Sequence, residues 1–175
     1  MNAIFARKMG VLYIFFSLLL CVFCCFTQSV LLGKERLFRL HGGHSAEEYP
    51  HTLGIRDSIM IAHSFQGVEF GPAQNMHGAT YTVDVDLSST TLKDRLNWVI
   101  DIGEFSDIVN IVLKKYNFQN LNELFPNENT TTEFMCQRIY NDIKLELNNR
   151  GYSGSKLQIK LYESHKAWAQ FCNII

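Results

Sequence analysis

The sequence predicts an α+β fold: an antiparallel sheet with two helices packed on one of its faces, preceded by an N-terminal hydrophobic segment. Two observations carry the prediction. Tyr81, Val83, Val85 and Leu87 alternate with Thr82, Asp84 and Asp86, the period-two pattern of a strand with one core face and one polar face. Farther on, two stretches repeat apolar residues at helical spacing. The organisation that follows is a hydrophobic segment over residues 1–33, a linker over 34–54 and one domain over 55–175, enough chain for one core.

In chain order, the run Ser58-Ile59-Met60-Ile61-Ala62-His63-Ser64-Phe65 reads as a buried strand. A loop holding the turn signal Gly71-Pro72 separates it from His77-Gly78-Ala79-Thr80-Tyr81, the head of the alternating strand. Pairing the two strands brings His63 and His77 near one another across a hairpin. Residues two apart on a strand share a face, so a histidine at 79 would join 77 on one ion; position 79 is alanine. Phe105, Ile108, Val109, Val112 and Tyr116 form the apolar stripe of a first helix. Met135, Ile139, Ile143 and Leu147 step by four through a second, which ends at Asn148-Asn149-Arg150-Gly151. Thr130-x-x-Glu133 reads as a capping box at its start. Leu157, Ile159 and Leu161 then alternate with Gln158, Lys160 and Tyr162 in a last strand, which Glu163 follows.

Composition narrows the function. The formal net charge is −1 and the basic residues are scattered, which leaves no nucleic-acid footprint. Cys21, Cys24 and Cys25 lie in the hydrophobic run, leaving Cys136 and Cys172 in the domain, so a disulfide scaffold is not expected and Cys136 reads as core. Residues 9–26 are uncharged and follow Arg7 and Lys8; at close to the ~20 apolar residues that span a bilayer, the run suits a signal-anchor better than a cleaved signal. Lys34, Arg36 and Arg39 flank its other side, so charge orients it weakly. A start misassigned upstream of Met60 is the alternative, leaving a soluble cytoplasmic domain. His41, His44 and His51 read as solvated linker residues.

The co-linear order of these motifs resembles the 6-pyruvoyltetrahydropterin synthase and 6-carboxytetrahydropterin synthase family. Beyond His63 and His77-Gly78-x-x-Tyr81, Val99-Ile100-Asp101-Ile102-Gly103 is similar to a strand end before the family's first helix. Asn120-Leu121-Asn122 is similar to its loop before the second, Thr131-Thr132-Glu133 to its Thr-x-Glu helix start, and Leu161-Tyr162-Glu163-Ser164 to its closing strand with a pterin-anchoring glutamate. The resemblance covers residues 55–175. Phe70-Gly71-Pro72-Ala73-Gln74 and His77-Gly78-Ala79-Thr80 are similar to divergent bacterial members.

The resemblance implies the tunnelling fold, zinc, a pterin ligand, and homo-oligomeric rings with sites at subunit interfaces. It implies conversion of a dihydropterin of the dihydroneopterin triphosphate type, in pterin or queuosine-precursor biosynthesis. The family's three zinc histidines map onto His63, His77 and Ala79, its catalytic cysteine onto Ala73, and its Asp-His proton relay onto Asn117 and Phe118. None of these last three can serve as a general base. His165, two residues after Glu163, is the candidate third ligand. Glu163, Glu133 and Thr131 are the candidate pterin-binding residues; Glu69 and Asp101 are the carboxylates nearest the motif loops. A pseudoenzyme that binds a pterin or purine-like ring without turnover, and a membrane-tethered module that keeps only the fold, are the competing readings. Asn129-Thr130-Thr131 is an N-glycosylation pattern beside the expected pocket, so a cytosol-facing domain on an N-terminal anchor is expected over one in the secretory pathway.

Overall fold

The computed structural model describes residues 48–175. The hydrophobic segment and most of the linker, with His41 and His44, lie outside the described residues. No helix among the described residues is long and apolar enough to cross a membrane.

Strand β1 runs over His51–His63 and β2 over His77–Ser89. They form a long antiparallel hairpin whose register pairs Ile59 with Tyr81, Ile61 with Ala79 and, as the last pair, His63 with His77. β1 thus begins inside the expected linker, at His51. It is buried on one face only: Ile59, Ile61 and His63 point into the core, while Met60 between them is 47% exposed. The expectation of a strand buried throughout 58–65 fails because helices cover a single face of the sheet. The turn between the strands contains a 3-10 segment, Val68–Gln74, kinked at Gly71 with φ 50° and ψ −126°, a backbone state that a side chain would strain.

Residues 99–101 form no strand, contrary to expectation. Asp101 instead caps helix α1, Ile102–Leu113, its Oδ1 accepting the Glu104 N–H at 3.0 Å. The helix ends before Tyr116, the last member of the predicted stripe. Tyr116 is nevertheless buried in the following turn, its hydroxyl donating to Asp142 Oδ2 at 2.7 Å. A two-residue strand β3, Gln119–Asn120, and a single helical turn α2, Leu121–Leu124, lead to the long helix α3, Thr132–Asn149. The N-cap of α3 is Thr131, whose Oγ1 accepts the Phe134 N–H. The capping box expected at Thr130 and Glu133 therefore does not form: the cap falls one residue later, and Phe134 at its third helical position has no side-chain acceptor to reciprocate. At the other end the stop signal works as predicted: the N–H groups of Gly151 and Tyr152 return to the carbonyls of Asn148 and Leu147 with Gly151 at φ 82°, a Schellman motif.

β4, Lys156–Tyr162, pairs with β2, and an unanticipated strand β5, Trp168–Ile174, pairs with β4. The five-stranded sheet has the order β3-β1-β2-β4-β5, with only β3 parallel to its neighbour. One face carries Ile59, Ile61, Tyr81, Val83, Val85, Leu87, Leu157, Ile159 and Leu161, fully or nearly buried with Phe105, Ile108, Val109 and Val112 of α1 and Met135, Ile139, Ile143 and Leu147 of α3. Cys136 belongs to this core, its thiol donating to the Ala169 carbonyl at 3.3 Å.

The outer edge of β1 is closed largely by side chains. Asn117 Oδ1 accepts the Met60 N–H at 2.9 Å while the Phe118 N–H reaches the Met60 carbonyl at 2.7 Å. β3 pairs beside Ala62. Asn122 takes both peptide groups of Ser64 at 2.7 Å, and Asn129 takes both of Gln66 at 2.7 and 2.9 Å. At every second residue from 60 to 66, an amide side chain or short backbone bridge thus replaces a neighbouring strand. An Asn amide offers the same donor and acceptor as a peptide unit, so the chain beyond His63 is held where it leaves the sheet.

Candidate metal centre

Strand parity places the site. The inward positions are odd-numbered on β1, β2 and β4, and His63, His77 and Glu163 continue those three series at one end of the sheet. Their ligand atoms all lie within 4.8 Å of one another, a group able to hold a metal ion. The paired imidazoles stand 4.5 Å apart between ring centroids, as the hairpin reading expects. Phe65 closes over them, its ring 4.7 Å from His63, 5.8 Å from His77 and 4.9 Å from Phe70.

Hydrogen bonding sets the imidazole tautomers. His63 is fully buried, and its Nδ1 lies 3.1 Å from the carbonyl oxygen of Thr130 and 3.2 Å from that residue's hydroxyl. A carbonyl only accepts, so Nδ1 carries the proton and Nε2 the lone pair. That Nε2 is buried and has no hydrogen-bond partner. His77 repeats the arrangement, its Nδ1 donating to the Asn75 carbonyl at 2.9 Å. A carbonyl on one ring nitrogen with the other left open is the usual support of a metal-binding histidine. Burial, then the neighbouring His77, holds the His63 pKa below the ordinary imidazole value, against the opposing pull of Thr130 and Glu163. The ring is thereby kept in the neutral form that ligates.

Glu163 follows directly on the end of β4. It is exposed, and its Oε2 accepts from the Thr132 hydroxyl at 2.7 Å. The candidate pterin-anchoring carboxylate is thus open to solvent in the single chain. His165 does not join the group. β4 stops at Tyr162, and the chain reverses through a turn in which Ser164 Oγ accepts the N–H groups of Lys166 and Ala167 at 3.2 Å. This leaves His165 exposed in the turn rather than on the strand face shared with Glu163. Two histidines and a carboxylate form a donor set suited to zinc with an open position, and the unpaired Nε2 of His63 is the observation that fits these residues to such an ion.

The other expected residues take structural places. Thr131 spends its hydroxyl on the α3 cap, and Glu133 is exposed in the first turn of that helix, where its charge complements the dipole. Asp101 caps α1 and Glu69 lies exposed in the 3-10 segment. The Ala73 carbonyl accepts the Phe65 N–H at 3.1 Å. Asn117 and Phe118 bind Met60 at the edge of β1, with the Phe118 ring 72% exposed. Ala79 is half-buried on the site's own face and supplies no donor. Two features escaped the sequence reading: the Thr130 carbonyl that orients His63, and Glu163 in place of His165 as the third group.

Comparison with known proteins agrees with this architecture. The family model for 6-pyruvoyl tetrahydropterin synthase matches residues 52–173. Among solved structures, the chain is similar to the Caenorhabditis elegans 6-pyruvoyl tetrahydropterin synthase at 20% identity and TM-score 0.59, covering 70% of this chain and 94% of that one. It is also similar to the Plasmodium falciparum enzyme of the same name at 16% identity and TM-score 0.53, covering 71% and 99%. An uncharacterized protein from Wolinella succinogenes matches at 11% identity and TM-score 0.52, covering 70% and 98%. No curated protein sequence matches. Such identities establish the fold alone, but the family match spans most of the chain and all five strands: the chain belongs to the 6-pyruvoyl tetrahydropterin synthase family, as a divergent member.

Proposed function

We propose that this protein binds a pterin of the dihydroneopterin triphosphate type at the His63, His77 and Glu163 end of the sheet and converts it with the help of one zinc ion. The observation that carries this reading is the pair of histidines whose Nδ1 atoms are both committed to backbone carbonyls, with the buried Nε2 of His63 left without a partner. Zinc held there would supply Lewis acidity, polarising a hydroxyl or carbonyl of the ligand's side chain. The residues do the rest: Phe65 excludes water beside the imidazoles, Thr130 holds His63 in its ligating tautomer, and Thr132 holds the Glu163 carboxylate. Glu163 serves as a third ligand, as an acceptor for the N–H edge of the ring, or as both through its two oxygens; Thr131 and Glu133 border the same end. Because Glu163 is open in the single chain and β5 is an edge strand, association of copies into a homo-oligomer would close the site.

The second reading is a pseudoenzyme that binds the ring without turnover. It is favoured by Asn117 and Phe118, which stand where the proton relay would be and are engaged in holding Met60. The deciding experiment titrates 7,8-dihydroneopterin triphosphate into the zinc-loaded chain, following both binding and triphosphate release. Binding with release supports the enzyme; binding without release supports the pseudoenzyme; no binding contradicts both. Glu163→Gln separates the roles of Glu163: loss of ring binding with zinc retained makes it an anchor, and loss of both makes it a ligand.

For topology, we propose a cytosol-facing domain on an N-terminal anchor. Asn129 uses its amide in both directions on Gln66, which a glycan on that nitrogen would disturb. A glycosidase-sensitive mobility shift that disappears in Asn129→Gln would overturn this.

A further inference from the structure

Tyr81 lies on β2 four residues after His77, on the same inward face. It is completely buried, with its ring edge-on to His63 at 6.2 Å between centroids. Its hydroxyl is, beside His63 Nε2, the other buried side-chain polar atom among the described residues with no hydrogen-bond partner. A buried hydroxyl left unpaired costs free energy, and native structures rarely keep one without a use. The register shows where this one sits. β2 pairs with β4 up to Thr82 opposite Tyr162, so one step beyond the ladder Tyr81 comes level with Glu163. Two unpartnered polar atoms, one a lone pair and one an O–H, thus lie at the end of the sheet where Glu163 stands.

We propose that the Tyr81 hydroxyl is a ligand-binding donor of this site, giving its hydrogen bond to an oxygen acceptor, a carbonyl or hydroxyl oxygen, of the molecule seated between His63, His77 and Glu163. This rests on the proposed pterin site and adds a residue to it. The neighbouring Thr132 hydroxyl gives its proton to Glu163 Oε2 at 2.7 Å and makes no hydrogen bond to the phenol, and a phenol gives up its proton only at about pH 10. At neutral pH the group is therefore a proton-bearing donor. Its preference is for ligands with an oxygen at that place, and an analogue without the oxygen leaves the phenol unpaired again.

Tyr81→Phe in the full chain removes the oxygen and keeps the ring that packs on His63. Three readouts are compared with wild type: the unfolding midpoint without zinc or ligand, zinc affinity, and affinity for 7,8-dihydroneopterin triphosphate. The expected result is a midpoint unchanged or raised by about 2–5 °C, since an unsatisfied group is removed. Zinc affinity should stay within about twofold, and pterin affinity should fall about tenfold, the scale of one lost hydrogen bond. A midpoint lowered by several degrees overturns the inference, because the hydroxyl would then be satisfied in the free protein, for instance by Thr132. Equal pterin affinity in variant and wild type overturns it as well. Wild-type chain that binds zinc but no pterin sinks the proposed function and this inference together, whereas wild-type binding with an indifferent variant sinks the inference alone.

Discussion

Removing the Asn122 side chain should destabilise the domain far more than its place in a four-residue helical turn suggests. Asn122 Oδ1 accepts the Ser64 N–H and Asn122 Nδ2 donates to the Ser64 carbonyl, both at 2.7 Å in a partly buried setting. Asn122→Ala loses two hydrogen bonds worth about 1 kcal/mol each and leaves two peptide groups that water reaches only in part, so a total of about 2–3 kcal/mol is expected. For a domain of this size that lowers the unfolding midpoint by about 6–12 °C. Asn129→Ala removes a similar pair from Gln66, at 2.7 and 2.9 Å, but at an exposed site where water replaces the lost partners; its cost should stay near or below about 1 kcal/mol. Urea unfolding of the two variants and wild type measures both values, with unchanged slopes expected. Asn122→Asp should fall between, keeping the acceptor for the Ser64 N–H and losing the donor. If Asn122→Ala unfolds within about 0.5 kcal/mol of wild type, or costs no more than Asn129→Ala, side-chain amides do not stand in for a strand along this edge.

Gly151→Ala should cost about 1 kcal/mol, because residue 151 sits at φ 82° with open space around it, leaving backbone strain as the whole effect; thermal unfolding checks this, and an unchanged midpoint would deny the Schellman stop. The Asp86 carboxyl is pushed above its ordinary 3.8 by burial first and the Asp84 charge second. A raised folded pKa means that ionisation at neutral pH opposes folding and that this cost is absent below the unfolded value. Asp86→Asn should therefore stabilise the domain at pH 7, with the gain disappearing as pH falls below 3.8. A gain that persists undiminished in acid would show that the effect is not electrostatic.

Most of the site was written in strand parity. His63, His77 and Glu163 share the phase of Ile61, Tyr81 and Leu161, and the hairpin register that pairs the histidines follows from the alternation of two long strands. Helix α3 was legible from its step of four and its glycine stop, because both signals are local. What failed was non-local or marginal. β5 was missed because its alternation is weak, with Ala169 the one buried residue on it. A strand end was expected at Val99 to Asp101 on the family resemblance alone, yet Asp101 is used as a helix cap. His165 was a candidate third ligand only if β4 continued, and Ser164 removes that condition by closing a turn through its side chain. The roles of Asn117, Asn122 and Asn129 depend on partners 57 to 63 residues away, which no window of sequence contains.

The most direct test is the zinc content of the folded chain after reconstitution and removal of excess metal. One ion per chain is predicted for wild type and His165→Ala, and loss of the ion in His77→Ala with the fold intact by circular dichroism. Unchanged zinc in His77→Ala, or its loss in His165→Ala, would contradict a centre built on His63, His77 and Glu163.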